Sequence, residues 1–227
     1  MESAKQQPLL ELSLHDIQSY IYKVTSGPME LARFQFNRTE FCYKRKNKKS
    51  QDELSIIFLS QFPVKYRIGL RLEIWHTEIK KMKESFMRDI LMKESNLCSI
   101  ILNMKDFPSN NPREETIKDF TIYNQQDLFM LGDWLAGTFQ YELIPVCDQM
   151  NSIEGMEKFF TENPHWSLNS HSGGNICTDL IVAKLTRKRD IHERYLQLFQ
   201  GLQLKIGNQS MSPSSRELLT LCYESIC

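Results

Sequence analysis

The run from Asp127 to Met156, DLFMLGDWLAGTFQYELIPVCDQMNSIEGM, decides how the chain is read. Leu128, Leu131, Leu135 and Phe139 recur at spacings of three and four, the pattern of a helix with one face toward a core, and Trp134 widens that stripe. Past Phe139 the period changes. Leu143, Ile144 and Val146 crowd around Pro145, and proline, which lacks an N–H, is tolerated in a sheet only at an edge, an end or a bulge. A short strand ending near Pro145 is predicted. Asn151 stands three residues before Glu154, a capping-box pattern, and Ile153, Met156 and Phe160 restart the helical period until Asn163 and Pro164 stop it. The expected unit is helix, strand, helix, packed on one sheet.

Upstream, Ser13 followed by Asp16 caps a predicted helix with Leu14, Ile17, Ile21 and Val24 inward, ended by Gly27 and Pro28. Phe34, Phe36, Phe41 and Tyr43 flank a polar break at Asn37 to Glu40, which predicts a kinked strand or a hairpin, and a polar loop from Lys44 to Glu53 follows. Leu54 to Leu59 is a short apolar strand. Beyond Pro63 comes the longest clean alternation: Val64, Tyr66, Ile68, Leu70, Leu72 and Ile74 on one face, Lys65, Arg67, Arg71 and Glu73 on the other. One apolar and one wet face fit an antiparallel sheet covered on a single side, whereas a doubly covered parallel sheet shows continuous apolar runs. Glu78 to Ser95 is an amphipathic helix through Ile79, Met82, Phe86 and Ile90, and Cys98 to Met104 is another strand.

Lys105 to Lys118, with two prolines and two asparagines, is a loop or joint between an N-terminal α+β half (1–104) and a C-terminal one (119–227). A second loop runs from Asn163 to Gly174. Asn175 to Leu185 is expected to be a strand around Leu180 to Ala183, and Ile191, Tyr195, Leu198 and Phe199 a short helix. Leu202, Leu204 and Ile206 then alternate as a final strand, before a helix opened by Ser212 and Pro213 with Leu218, Leu219, Cys222 and Ile226 inward. The expected fold class is α+β, an antiparallel sheet covered by helices mainly on one side with an exposed sheet edge. With a central strand or one capped by the final helix as the equal alternative, that edge is placed at Leu202, Gln203, Leu204, Lys205 and Ile206. Its unpaired main-chain groups would accept a partner strand, making these the expected partner-binding residues.

In 227 residues, lysine plus arginine and aspartate plus glutamate both total 28, so no global field steers the protein toward nucleic acid or membrane, and such a role needs a local patch. No apolar run approaches the ~20 residues of a membrane span. Six dispersed cysteines without a C-x-x-C pair read as reduced thiols of a cytosolic or nuclear protein. No catalytic or nucleotide-binding signature appears, and no cofactor is expected. His165, His171 and Cys177 invite a zinc reading, but their spacing matches no compact ligand pattern and a fourth ligand is not evident, so no metal is expected. The paired Glu114 and Glu115, and Glu78, Glu84 and Asp89, are ordinary solvated charge. Two basic runs stand out: Lys44, Arg45, Lys46, Lys48 and Lys49, and later Lys184, Arg187, Lys188 and Arg189. Each is a candidate DNA-backbone contact; the ordinary alternatives are a solubilising loop or an import signal.

Gly132, Trp134, Leu135, Thr138, Phe139, Pro145, Val146, Ile153 and Met156, with Asp119 to Thr121 as lead-in, make the chain resemble centromere protein L over residues 119–160. The resemblance implies a non-enzymatic subunit of the inner kinetochore, in the nucleus at the centromere. It further implies pairing with a partner like centromere protein N through sheet edges, contact with other inner-kinetochore subunits, and a share in binding centromeric DNA. The competing expectations are a hydrolase or transferase using the Asn163 to Gly174 loop, or a generic intracellular adaptor.

Overall fold

In the computed structural model, which describes residues 13–61, 65–87, 100–103, 121–164, 166–169, 173–208 and 214–227, the alternating stretch forms the middle of an antiparallel sheet. β4 (Lys65–His76) pairs along its full length with β3 (Ser50–Gln61), setting Leu54 opposite Leu72 and Ile56 opposite Leu70. β2 (Cys42–Lys46) adds to β3 and β1 (Gln35–Asn37) to β2, while β5 (Ile100–Asn103) and β6 (Thr121–Ile122) both pair with β4. The chain is therefore α+β, with a six-stranded antiparallel sheet among the described residues and helices packed against it. Tyr43, Leu54, Ile56, Ile68, Leu70, Leu72 and Ile74 are buried beneath the helices, whereas Ile57 and Leu59 point out of the other face and are exposed. The predicted polar loop from Lys44 to Glu53 is mostly strand, and only Asn47 to Lys49 turn between β2 and β3.

α1 (Leu14–Leu31) starts with the expected capping box, Ser13 and Asp16 each bonding the other's backbone. It does not stop at Gly27 and Pro28. A proline in the last turn deletes a single ladder bond, and the helix runs on until Arg33, at φ 66, lets its N–H reach the Glu30 carbonyl and that of Phe34 the Met29 carbonyl, a Schellman closure. α2 (Thr77–Met87) follows β4 directly. The strand expected to end near Pro145 is not there. α3 (Gln125–Thr138), a π-helical turn (Phe139–Leu143) and α4 (Ile144–Met150) form one continuous helical path. Pro145 cannot bond back to Tyr141 and its ring would crowd that carbonyl; the wider turn before it, in which the Ile144 N–H reaches Phe139, relieves the conflict. The inward residues continue as Phe139, Leu143, Cys147 and Met150, all fully buried. Trp134 is half-buried beside them.

α5 (Ile153–Glu162) is capped by Ser152, whose hydroxyl accepts from the Gly155 N–H, rather than by Asn151. The short α6 (Trp166–Asn169) lies within the second predicted loop. The strand expected from Asn175 to Leu185 is instead α7 (Gly173–Thr186), buried on every side from Asn175 to Ala183. An apolar run buried all round shows no period, so β-branched content pointed to the wrong element. The expected edge strand Leu202 to Ile206 is also helical, the last turns of α8 (Ile191–Gly207). Leu202 is buried there with Leu198, four residues earlier, while Leu204 is 72% exposed. Main-chain groups engaged in a helix cannot accept a partner strand, so strand addition at Leu202, Gln203, Leu204, Lys205 and Ile206 is excluded. α9 (Ser214–Ile226) closes the described chain with Leu219, Cys222 and Ile226 inward.

The β5 edge of the sheet is closed by a side chain. Asn175 of α7 accepts from the Ile101 N–H at 2.9 Å and donates to the Ile101 carbonyl at 2.8 Å, supplying both bonds that a neighbouring strand would make. A single buried cluster runs from Ile17 and Leu54 through Phe139 and Leu180 to Cys222, drawing on both the 1–104 and 119–227 halves. The 105–118 stretch lies outside the described residues. Among those described, no helix is long and apolar enough to cross a membrane.

Candidate nucleic-acid interface

The first basic run divides by strand geometry. Alternate residues of β2 face opposite sides of the sheet, so Arg45 turns toward the helices and Lys44 and Lys46 turn away. Arg45 is 8% exposed, donates to Asp52 at 2.8 Å, to Asp148 at 2.7 Å and to the Ala32 carbonyl at 3.3 Å, and lies 4.5 Å from the centre of the Phe34 ring. Burial works against its charge, but Asp52 and Asp148 outweigh that and hold its pKa above the ordinary value. This arginine ties α1, the sheet and α4 together and is not free for a phosphate. Lys44 is likewise engaged, 2.5 Å from Glu40 and 3.3 Å from Glu53. Glu40, Cys42 and Glu53 converge as three metal-capable groups, with the Lys44 ammonium as their cation. Burial pushes the Cys42 thiol up to about 11, so it is a protonated donor toward Glu40.

Lys46, Lys48 and Lys49 are exposed. Sheet register sets Lys46 beside Gln51 and Gln51 beside Trp75, one row across three strands on the open face. α2 then brings Lys80 over the Trp75 ring, its ammonium 5.7 Å from the ring centre. The result is a cleft of about 590 Å³ lined by Lys46, Lys48, Lys49 and Lys80, with Trp75 as a wall and Glu53 as the one acid. Glu53 is the carboxylate that Lys44 already faces. Lys46 and Lys48 have no carboxylate partner among the described residues; Lys49 pairs with Glu78 at 3.0 Å, an exposed contact of little energetic weight. The turn itself is held firmly. The Lys49 carbonyl accepts from the Thr77 N–H at 2.9 Å and hydroxyl at 3.0 Å, and Ser50 donates to Asn151 at 2.6 Å.

The second run divides in the same way. Arg189 points inward, donating to Glu157 at 2.7 and 2.8 Å and to Asp179 at 2.8 Å. Lys184, Arg187 and Lys188 are exposed and line a separate cleft with Asp190. The two runs thus belong to different clefts, and each contributes one arginine to the interior. Sequence reasoning missed Trp75 and Lys80. The available signal was Trp75 itself, an aromatic on the wet face of the 64–74 alternation. His165 and His171 lie outside the described residues, and Cys177 is buried on α7 near the Leu218 carbonyl, 3.8 Å away. The five cysteines among the described residues are unpaired thiols.

No family model, no curated protein and no solved structure matches this chain.

Proposed function

We propose that the chain is a non-enzymatic association subunit that holds a nucleic-acid backbone in the Lys46, Lys48, Lys49 and Lys80 cleft, as one member of an inner-kinetochore-like assembly in the nucleus. The observation behind the reading is that cleft: four lysines around one lining carboxylate that Lys44 already faces, Lys49 and Lys80 reaching Glu78 and Glu84 only in exposed contacts, with an aromatic wall and a turn pinned at both ends. Ammonium groups spaced along a cleft suit phosphates without reading base edges, so the expected binding is sequence-independent. The kinetochore setting and a partner like centromere protein N rest on the resemblance over residues 119–160 and on no contact described above.

The test is salt-titrated fluorescence anisotropy with a labelled duplex. Each lysine removed from phosphate contact should lower the slope of log affinity against log salt by about 0.9. Lys46→Gln with Lys48→Gln should flatten the slope by about 2 units, while Lys184→Gln with Lys188→Gln leaves it unchanged. An unaltered slope in the first double variant rejects the cleft. Mass spectrometry of proteins retained by the tagged chain from dividing cells tests the setting, and absence of inner-kinetochore subunits from that set rejects it.

A further inference from the structure

On the opposite edge of the sheet from β5, α1 and the β1–β2 hairpin enclose a second cleft, of about 290 Å³. Its walls are aromatic. Tyr22 packs on Phe36 with ring centres 4.6 Å apart, and Phe41 meets Phe36 edge-on at 5.1 Å and Phe58 at 4.9 Å. Phe41 holds this place at φ 49, a left-handed conformation that a hairpin turn normally gives to glycine. Asn37 braces the turn by accepting from the Thr39 N–H at 3.0 Å and the Glu40 N–H at 3.2 Å. An aromatic ring thus stands where the backbone favours glycine or asparagine.

Arg38 and His15 line the rim, and Arg38 has no partner among the described residues. The two acids closest to them in the chain are already engaged: Asp16 with the Ser13 cap at 2.6 Å and by charge with His15, and Glu40 with Asn37 at 2.9 Å and Lys44 at 2.5 Å. No carboxylate lines the cleft. His15 also lies in the first turn of α1, where the helix dipole favours negative charge. We propose that this cleft is a docking site for a peptide segment of a protein partner, one aromatic side chain entering among Tyr22, Phe36 and Phe41 while an adjacent aspartate or glutamate pairs with Arg38. The size agrees, because at about 290 Å³ the cleft lies at the small end of ligand pockets. The charge agrees too, since a guanidinium fork recognises carboxylates in two-bond geometry. The site is distinct from the lysine cleft, and its occupancy does not depend on DNA binding.

Panning a random twelve-residue peptide library against the full chain, with counter-selection on Arg38→Glu, reads the proposal directly. Arg38 is exposed and unpaired, so its reversal should leave the melting curve in place. The expected result is a consensus of an aromatic residue next to aspartate or glutamate. Synthetic peptides of that consensus should bind roughly tenfold or more weakly to Arg38→Glu and to His15→Glu, and unchanged to Lys46→Gln with Lys48→Gln. A consensus lacking either element, no enrichment over the counter-selection, or equal binding to Arg38→Glu each overturns it. So does a single-stranded oligonucleotide that binds in an Arg38-dependent way where peptides do not, since that would assign the cleft to a nucleobase and phosphate.

Discussion

Replacing Asp179 with alanine removes the one carboxylate shared by buried Arg194 and half-buried Arg189. Asp179 is fully buried on α7; it accepts from Arg189 at 2.8 Å, from Arg194 through Nε at 3.3 Å and through a shorter Nη2 contact, and from the Ser167 hydroxyl at 2.6 Å. Through it α6, α7 and α8 are joined, and Glu157 adds α5 by gripping Arg189 with two bonds. The pair of charges matters less for its attraction than for what its loss leaves behind, because Arg194 is 5% exposed and a buried guanidinium without its anion is costly. Breaking such a pair costs about 3–5 kcal/mol, which for a slope near 2 kcal/mol per molar lowers a urea midpoint by about 2 M. Asp179→Asn should lose less, since the amide oxygen can still accept from Ser167 and Glu157 still holds Arg189. Asp179→Leu combined with Arg194→Met should recover part of the loss, as apolar replacement of both partners removes the desolvation cost together with the attraction. A loss below about 1 kcal/mol for Asp179→Ala, with native circular dichroism retained, refutes the assignment of this network as the junction of the four helices.

Three further outcomes follow from the geometry. Phe139→Ala opens a cavity at a fully buried site facing Tyr43 and should destabilise by about 3–5 kcal/mol in chemical denaturation. Arg33→Gly relieves the left-handed closure of α1 and should stabilise by about 1 kcal/mol, seen as a raised melting temperature. His76 is buried at the end of β4, and burial lowers its pKa below the ordinary 6.5. The unfolded chain therefore binds that proton more readily than the folded one. The contribution of His76 to stability is fully present above about pH 6.5 and is lost as the pH falls from there toward its depressed native value. His76→Phe should flatten stability against pH in that window, measured by urea titrations between about pH 7 and pH 5.

Much of the fold was legible in local chemistry. The Ser13 and Asp16 cap, the 64–74 alternation, the helical spacing of Leu128, Leu131, Leu135 and Phe139, and the stop at Asn163 and Pro164 all have counterparts in the structure. The one-sided burial of the sheet was legible too, because a strand's period of two separates the core face from the wet one whatever lies above it. Around Pro145 the inward series Phe139, Leu143, Cys147 and Met150 was also present in the chain, but counting Ile144 and Val146 concealed it. A π-helical turn shifts the phase of a helix without ending it, and proline is as compatible with that as with a strand end.

The identity of α7 and the last turns of α8 was settled only in three dimensions. A segment enclosed on all sides has no wet face to betray its period, and three apolar residues at spacing two in Leu202, Leu204 and Ile206 fit a helix as well when only Leu202 is fully buried. The candidate sites were decided the same way. Composition could place lysines near residues 44–49, but whether each meets solvent or a carboxylate depends on which side of β2 it faces and on what Asp52, Asp148 and Glu53 bring across the sheet. Trp75, Lys80, Arg38 and Tyr22 acquire their neighbours through strand register and helix packing. By itself the sequence determined which segments have two unlike faces, since that is a property of local period. The tertiary structure decided which charges are cancelled and which surfaces stay open, since charge pairing is a property of distance between residues far apart in the chain.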